Sequence, residues 1–323
     1  MIDDRPDLRP GTAAARSGEA ALPVLELRAW EDMFSEEARS ALNQLLADFL
    51  PQRRWFGAKA KRIYAVHVLD LVRMLDPSSF VLIVRVEFES GEPDRYMVPL
   101  ALSRGPTGER VLEDPAYVLA RVRGPGGEAG VLHESITEKS FAGELLNLLT
   151  LERTVAGEEG QLAAWKTEAF ERIRTDAHTL EPRVSKAEQS NTSILYGDAF
   201  ILKLYRRLEP GVNPDLEMGV YLAAQGFLHT PPLAGAIEYR TPRGTMTAAV
   251  LQEFIPNEGD AWEYALGEAR AYAARAQGVR DPGSFLLLLE RQPPADVRER
   301  IGPFLGSAAL LGRRTAEMHA ALA

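Results

Sequence analysis

Cysteine is absent from the 323-residue sequence, which excludes disulfide bonds, thiolate metal sites and cysteine nucleophiles. Long apolar runs are also missing, and none approaches the roughly 18 residues that a membrane-spanning helix requires. The N-terminus is polar and acidic and lacks the apolar core of a signal peptide. We therefore expect a cytoplasmic protein with no membrane partner.

Positive charge is outweighed by negative charge, with 37 Lys and Arg against 46 Asp and Glu and a net charge of −9. Sequence-independent binding of DNA or RNA depends on neutralising phosphates, so no nucleic-acid partner is expected. A local basic patch could still bind a nucleotide. The hydrophobic fraction of 46% is ample for a packed core, and the length suggests two or three domains.

The apolar periodicity changes along the chain and predicts an α+β fold. Residues 1–22 are polar and rich in Pro and Gly, which indicates a disordered arm or a linker. A helix is predicted from about residue 36 to Pro51, followed by antiparallel strands between residues 84 and 132. Helical spacing returns at 136–155, with Thr137 as the expected N-cap. Residues 258–323 read as helices separated by Pro- and Gly-containing breaks.

The most informative stretch is Glu188–Arg207, which reads as a small-polar loop, a strand, a turn at Gly197-Asp198 and a second strand. In the second strand, Ile201, Lys203 and Tyr205 share one face. A strand lysine beside a polar loop is how a kinase-type fold holds nucleotide phosphates. The alternative is an edge strand whose lysine protects it from aggregation.

The segment Asn213–Glu217 is a helix start, with Asn213 as the N-cap and Pro214 at the first helical position. Glu217 shares its helical face with apolar residues, so its carboxylate is expected to have a partner. We predict that partner to be Lys203, with the charged atoms within about 4 Å or bridged by one water. Alternatively, Glu217 only complements the helix dipole, as Asp215 does.

Two further segments are distinctive. The strand that ends at Gln252-Glu253-Phe254-Ile255 turns polar and meets Pro256, as at the junction between a sheet and a helical lobe. The run 52–61 contains adjacent aromatics, Trp55 and Phe56, flanked by cations. We interpret the two rings as filling a small core while the cations remain in water. The alternative is that the two rings and the cations form a ligand site.

Segments 52–57, 188–193, 202–211 and 213–217 together resemble the bacterial maltokinases, in the same order along the chain. These are eukaryotic-kinase-like sugar kinases, found alone or fused behind a trehalose synthase. The resemblance extends from about Leu22 onward. It implies a protein-kinase-like fold with a maltokinase N-terminal cap domain at 23–130, a nucleotide-binding N-lobe at 131–256 and an incomplete helical C-lobe at 257–323.

The family phosphorylates maltose to maltose 1-phosphate with ATP and Mg²⁺, a reaction that feeds α-glucan (glycogen) synthesis. The resemblance therefore implies ATP and maltose as ligands, and an associated or fused trehalose synthase as a possible partner. Lys203 would hold the α- and β-phosphates, and Glu217 would orient it. The phosphate-covering loop would comprise Ser190, Asn191, Thr192 and Ser193, and the adenine-side linker would comprise Gln252, Glu253, Phe254 and Ile255.

One departure from the family concerns catalysis. Phosphoryl transfer in this fold needs an aspartate that accepts the hydroxyl proton, and ligands for magnesium. The family carries them on a His-Gly-Asp-type loop and a later Asp, but none of the five histidines here precedes Gly-Asp. We identify no catalytic or metal-binding residue, expect both beyond Ala323, and predict no phosphotransferase activity for the 323 residues alone.

Two other functions remain open. A small-molecule kinase of the aminoglycoside or choline type would share the fold, although such relatives usually lack the cap and the Trp-Phe motif. A non-catalytic kinase-like module attached to a trehalose synthase would explain the missing catalytic loop.

Overall fold

A computed structural model describes residues 22–174, 180–185, 190–275 and 295–323. The helices are α1 (Glu36–Phe49), α2 (Gly105–Val111), α3 (Lys139–Thr150), α4 (Glu168–Ile173), α5 (Pro214–Ala224), α6 (Ala261–Arg275), α7 (Ala295–Ile301) and α8 (Phe304–Leu322). The strands are β1 (Val24–Glu26), β2 (Ile63–Arg73), β3 (Ser79–Phe88), β4 (Asp94–Arg104), β5 (Val118–Arg123), β6 (Ala129–Glu134), β7 (Thr154–Ala156), β8 (Gln161–Lys166), β9 (Pro182–Val184), β10 (Asn191–Tyr196), β11 (Phe200–Tyr205), β12 (Leu233–Thr241) and β13 (Gly244–Glu253). The predicted α+β class is confirmed.

The chain divides into two compact units, and the first contains the described residues up to Ala41 together with Leu102–His133. Within it, β1 pairs in parallel with β5, and β5 pairs antiparallel with β6. The Trp30 ring lies so close to Gly124 that a Cβ there would overlap it, which explains the glycine. The Arg104 guanidinium stacks 4.9 Å from the centre of the same ring.

The second unit contains residues 42–101 and 134–323. Strands β2, β3 and β4 pair antiparallel in sequence order. In β3 apolar and charged residues alternate between the two faces, since Val84 and Val86 are buried while Arg85 is exposed. The unit also holds a seven-stranded antiparallel sheet in the order β7-β8-β12-β13-β11-β10-β9. The turn predicted at Gly197 joins β10 to β11 as a hairpin.

The two faces of β11 contribute to different apolar clusters. Phe200, Leu202 and Leu204 belong to the main core of the unit, which also contains Phe141 and Leu145 of α3. On the opposite face a smaller cluster joins the helix α5 to the sheet, and it consists of Tyr205, Leu216, Leu233, Ala236 and Val250. Lys203 therefore lies on the face that carries α5.

A buried carboxylate fastens β2 to the turn between β7 and β8. Asp70 is fully buried and accepts hydrogen bonds from the backbone N–H groups of residues 158–160 at 2.7–3.1 Å. It also accepts one from the Tyr239 hydroxyl at 2.6 Å. A Cβ on Gly157 would lie only 2.6 Å from a carboxylate oxygen of Asp70, so the tight approach requires glycine. Burial and the adjacent carboxylate raise the pKa of Tyr239.

Several predicted boundaries are corrected. The third helix begins at Lys139 and ends at Thr150, and Thr137 is not its N-cap because it lies in a preceding 3-10 turn. The last helix of the segment 258–323, predicted from the sequence to begin at Ser307, begins at Phe304. The predicted arm, apart from Leu22, lies outside the described residues. The same holds for Glu188 and Gln189 of the stretch Glu188–Arg207 and for residues 276–294 of the segment predicted as helices. The domain divisions at 130 and 256 stay predictions.

Candidate functional site

On the face of the β10–β11 hairpin that carries Lys203, two cross-strand pairs of residues lie side by side. Each pair is called a rung. Ser193 lies directly opposite Lys203, and Leu195 lies directly opposite Ile201. Residues directly opposite in an antiparallel pair, and residues two apart in one strand, project from the same face. A polar rung, Ser193 with Lys203, therefore adjoins an apolar rung, Leu195 with Ile201. On the other side of β11, Ile201 lies opposite Gln252 of β13.

The exposure of these side chains suits a ligand with an apolar ring and an anionic group. Leu195 and Ile201 are half-buried, and the Lys203 side chain is 34% exposed. Ser193 is 2% exposed, and its hydroxyl has no hydrogen-bond partner within the described ranges. A buried hydroxyl without a partner carries an energetic cost that a ligand oxygen would relieve. This face can thus offer apolar contact and a cation side by side, with the buried Ser193 hydroxyl opposite the cation.

The partner of Lys203 is Asp215 and not Glu217, which corrects the predicted pair. Lys203 Nζ donates to Asp215 Oδ2 at 2.6 Å, and the Tyr205 hydroxyl donates to the same oxygen at 2.9 Å. The hydrogen bond from Lys203 lowers the pKa of Asp215 below its ordinary value, and the bond from Tyr205 adds to this effect against partial burial. Two donors on one strand, Lys203 and Tyr205, therefore stabilise the ionised form of the Asp215 carboxylate.

Glu217 is exposed and forms no ion pair with any residue in the described part of the chain. The helical face that it shares with Val220 and Tyr221 faces solvent, since these two residues are 46% and 41% exposed. The apolar character of that face suggested burial, but the buried positions of α5 are Leu216 and Leu222. Because each helical residue turns about 100°, Glu217 points roughly 200° away from Asp215.

The polar quartet does not form the loop that was predicted, because β10 already begins at Asn191 and only Ser190 precedes it. Ser190 is exposed. Asn191 lies opposite Tyr205 and shares the Lys203 face, but Thr192 lies opposite Leu204 on the other face. The Thr192 hydroxyl accepts a hydrogen bond from Arg206 Nε at 3.0 Å. Thr192 is therefore directed away from the candidate site.

The predicted adenine-side linker begins within β13. Gln252 and Glu253 are its last residues, and Phe254 and Ile255 follow it. Two backbone donors of the segment are already used, since Glu253 N donates to Pro232 O at 3.0 Å and Phe254 N donates to Ala199 O at 2.9 Å. The second of these bonds holds the segment beside the turn of the β10–β11 hairpin, and the first ties it to the residue that precedes β12.

Burial of both aromatic rings confirms the core interpretation of the Trp-Phe motif. Trp55 is 8% exposed and Phe56 is 1% exposed. The Trp55 indole N–H donates to Glu134 Oε1 at 3.2 Å, and the same oxygen accepts from Arg206 Nη2 at 2.8 Å. The Arg206 guanidinium also lies 4.6 Å from the centre of the Trp55 ring. The buried ion pair between Glu134 and Arg206 was not predicted from the sequence, because no local pattern links the two residues.

Among the described residues there is neither a metal-binding cluster nor a membrane-spanning helix. No group of three or more His, Asp or Glu side chains in these ranges is arranged to hold a metal ion. Within the same ranges, no helix combines the length and the apolar character needed to cross a membrane.

Comparison with known proteins supports the resemblance seen in the sequence. In this mixed α+β chain, residues 49–133 match the sequence model described as the maltokinase N-terminal cap domain. This segment covers about a quarter of the chain. The resemblance to the maltokinases is thus confirmed over the segment that includes Trp55 and Phe56.

Solved structures of glucosamine kinase are also similar to the chain. One, in complex with glucosamine, ADP and inorganic phosphate, has 20% sequence identity and a TM-score of 0.45, over 80% of this chain and 46% of that chain. Another crystal form has 20% identity and a TM-score of 0.47, over 87% of this chain and 51% of that chain. The chain spans about half the length of these structures.

Proposed function

We propose that this chain is the ATP-binding part of a maltokinase, which transfers a phosphoryl group from ATP to maltose and forms maltose 1-phosphate. The match of residues 49–133 to the maltokinase cap domain carries the proposal. The Lys203 face supports it independently, because it combines an apolar rung with a cation and a hydroxyl that has no hydrogen-bond partner among the described residues. A cytoplasmic location and a trehalose synthase as a fused or associated partner belong to the same proposal.

In this proposal the adenine ring lies on Leu195 and Ile201, beside the linker 252–255. The phosphates extend along the strands to Lys203 and the Ser193 hydroxyl, where an ammonium group and an O–H can donate to their oxygens. Bound Mg²⁺ would neutralise charge on the transferring phosphoryl group. No residue of this chain is assigned as the acceptor of the sugar hydroxyl proton or as a metal ligand.

Calorimetric titration of the purified chain with MgATP tests the nucleotide site. Lys203→Ala should weaken binding about tenfold or more, because a charge-assisted contact to phosphate is lost. Lys139→Ala is the matched control, since Lys139 also forms a surface ion pair, with Glu181 at 2.7 Å. Equal MgATP affinities for the two variants would refute the assignment of Lys203.

Acceptor assays on the full-length gene product test the substrate. ADP release that depends on maltose, and not on glucosamine, choline or an aminoglycoside, supports the maltokinase. Preference for an aminoglycoside or choline would instead favour the other small-molecule kinases. For the 323 residues alone we expect no release, and maltose-dependent ADP release above that of the Lys203→Ala variant would contradict this expectation.

A second candidate function is a non-catalytic kinase-like module attached to a trehalose synthase. MgATP binding without phosphoryl transfer by the full-length product, together with copurification of a trehalose synthase, would support this function over the kinase.

A further inference from the structure

We infer that Asp215 is the positioning residue that orients Lys203 toward the nucleotide phosphates, in the role that the sequence assigned to Glu217. The inference rests on the proposed nucleotide site. It starts from the 2.6 Å contact between Lys203 Nζ and Asp215 Oδ2.

Asp215 is itself held in place. Its backbone N–H donates to the side-chain oxygen of Asn213 at 2.9 Å, which caps α5 and fixes the first helical turn. The next residue, Leu216, is 2% exposed and packs in the same cluster as Tyr205. The carboxylate therefore projects from a backbone that is anchored on both sides, and its orientation does not depend on the ion pair alone.

Tyr205 reinforces the arrangement from the strand. It lies two residues after Lys203 on the same face, so both side chains can reach one carboxylate oxygen. Its hydroxyl donates to Asp215 Oδ2 at 2.9 Å. Two donors on a single oxygen limit the rotation of the carboxylate, and the ammonium group is thereby directed along the β10–β11 face.

Glu217 cannot take this role without a large movement. It projects roughly 200° around the helix from Asp215. Turning it toward Lys203 would rotate α5 by about half a turn and move Leu216 and Leu222 out of their buried positions. Both charges at residues 215 and 217 lie in the first helical turn, so the helix dipole does not distinguish them.

The ion pair leaves Lys203 able to bind an anion. An ammonium group has three N–H donors, and Asp215 accepts one of them. The lysine side chain is also 34% exposed, which gives phosphate oxygens access to the remaining donors. Asp215 and a nucleotide can thus contact Lys203 at the same time, so Asp215 orients the lysine without competing for it.

Selective acetylation tests the positioning without any nucleotide. The chain is treated briefly with an N-hydroxysuccinimide ester of acetate, and peptide mass spectrometry gives the labelling of Lys203 relative to Lys139. Asp215→Asn should raise this ratio about two- to fivefold, since an exposed ion pair of modest strength then no longer holds the amine. Glu217→Gln removes a charge from the same helical turn and should leave the ratio unchanged. Asp215→Glu should partly restore the wild-type ratio.

Calorimetry with MgATP provides the second readout. Asp215→Asn should weaken MgATP binding about two- to fivefold, whereas Glu217→Gln should not. The inference is overturned if Glu217→Gln reproduces either effect, or if Asp215→Asn changes neither the labelling ratio nor the affinity. If Asp215→Asn does not fold, Tyr205→Phe replaces it, and an unchanged labelling ratio in that variant also counts against the inference.

Different results would refute the nucleotide site and the role of Asp215. An unchanged MgATP affinity in Lys203→Ala refutes the nucleotide site, while the labelling ratios of Asp215→Asn and Glu217→Gln still decide which carboxylate holds the lysine.

Discussion

At the scale of single residues, Asp70 is a buried carboxylate whose oxygens accept several hydrogen bonds. It is fully buried, and its carboxylate accepts from three consecutive backbone N–H groups and from the Tyr239 hydroxyl. Such a carboxylate replaces the water that these donors would otherwise bind, so removing it leaves several buried donors unsatisfied. The neighbouring Gly157 provides the space that the carboxylate occupies.

We therefore predict strong coupling between Asp70 and Gly157. Asp70→Ala should lower the free energy of unfolding by about 3 kcal/mol or more, because buried donors lose their acceptor. Gly157→Ala should also destabilise the wild type, since the new Cβ would lie 2.6 Å from the Asp70 carboxylate. In the Asp70→Ala background, the same Gly157→Ala change should cost much less. Denaturant unfolding of the four proteins measures this cycle.

The control is Asp198→Ala, because Asp198 is exposed in the hairpin turn, and its effect should stay within about 0.5 kcal/mol. Strictly additive effects of Asp70→Ala and Gly157→Ala would contradict the proposed contact.

At the scale of elements, α3 carries a buried acid beside a cavity of about 870 Å³. Glu144 accepts from the backbone N–H groups of Leu75 and Asp76. Burial raises the pKa of Glu144 above its ordinary value of 4.5, and these hydrogen bonds only partly offset that effect. The folded chain therefore binds a proton at Glu144 more readily than the unfolded chain does.

A pH dependence follows from this raised pKa. Because the folded state binds the proton more tightly, the stability that Glu144 contributes is present at low pH and is lost as the pH rises above about 4.5. The free energy of unfolding of the wild type, minus that of Glu144→Gln, should fall between pH 4 and pH 7. Thermal and denaturant unfolding across this range measures the difference, and a difference that rises with pH would contradict the sign of the shift.

Local signals in the sequence predicted individual elements well. Asn213 caps α5 and Pro214 begins it, as the sequence indicated. The alternation in β11 correctly placed Lys203 on the face opposite Leu202. These features depend on neighbouring residues, so a short window contains the information.

The partners across elements were harder to predict. Lys203 was assigned to Glu217 because Val220 and Tyr221 were taken as a buried face, but burial of Leu216 and Leu222 sets the rotation of α5 and presents Asp215 instead. The pair between Glu134 and Arg206 joins residues 72 positions apart, and no local pattern specifies it.

At the scale of the whole molecule, Glu134 joins Trp55, a residue of the segment matched by the maltokinase cap domain, to Arg206. Glu134 accepts from Trp55 of the matched segment and from Arg206, which follows β11 directly. Both charged side chains are almost fully buried, at 1% and 2% exposure. A buried pair is costly to break, because the remaining charge loses its counter-charge inside the protein.

We predict that Glu134→Gln destabilises the chain by about 3–5 kcal/mol, since Arg206 then loses the carboxylate at 2.8 Å. The matched control is Glu181→Gln, because Glu181 forms an exposed pair with Lys139 whose loss should cost about 1 kcal/mol or less. Urea unfolding followed by circular dichroism measures both variants. Equal effects of the two substitutions would contradict a structural role for the buried pair.

Tryptophan fluorescence can monitor the contact of Trp55 with Glu134 and Arg206. The chain has four tryptophans, and the Trp55 indole is almost fully shielded from water while Trp262 is 71% exposed. In a variant that keeps only Trp55, the emission maximum should lie at short wavelength in the folded chain. It should shift to longer wavelength when the contact with Glu134 and Arg206 opens. The fluorescence of Trp55 therefore reports whether its contact with Glu134 and Arg206 is intact.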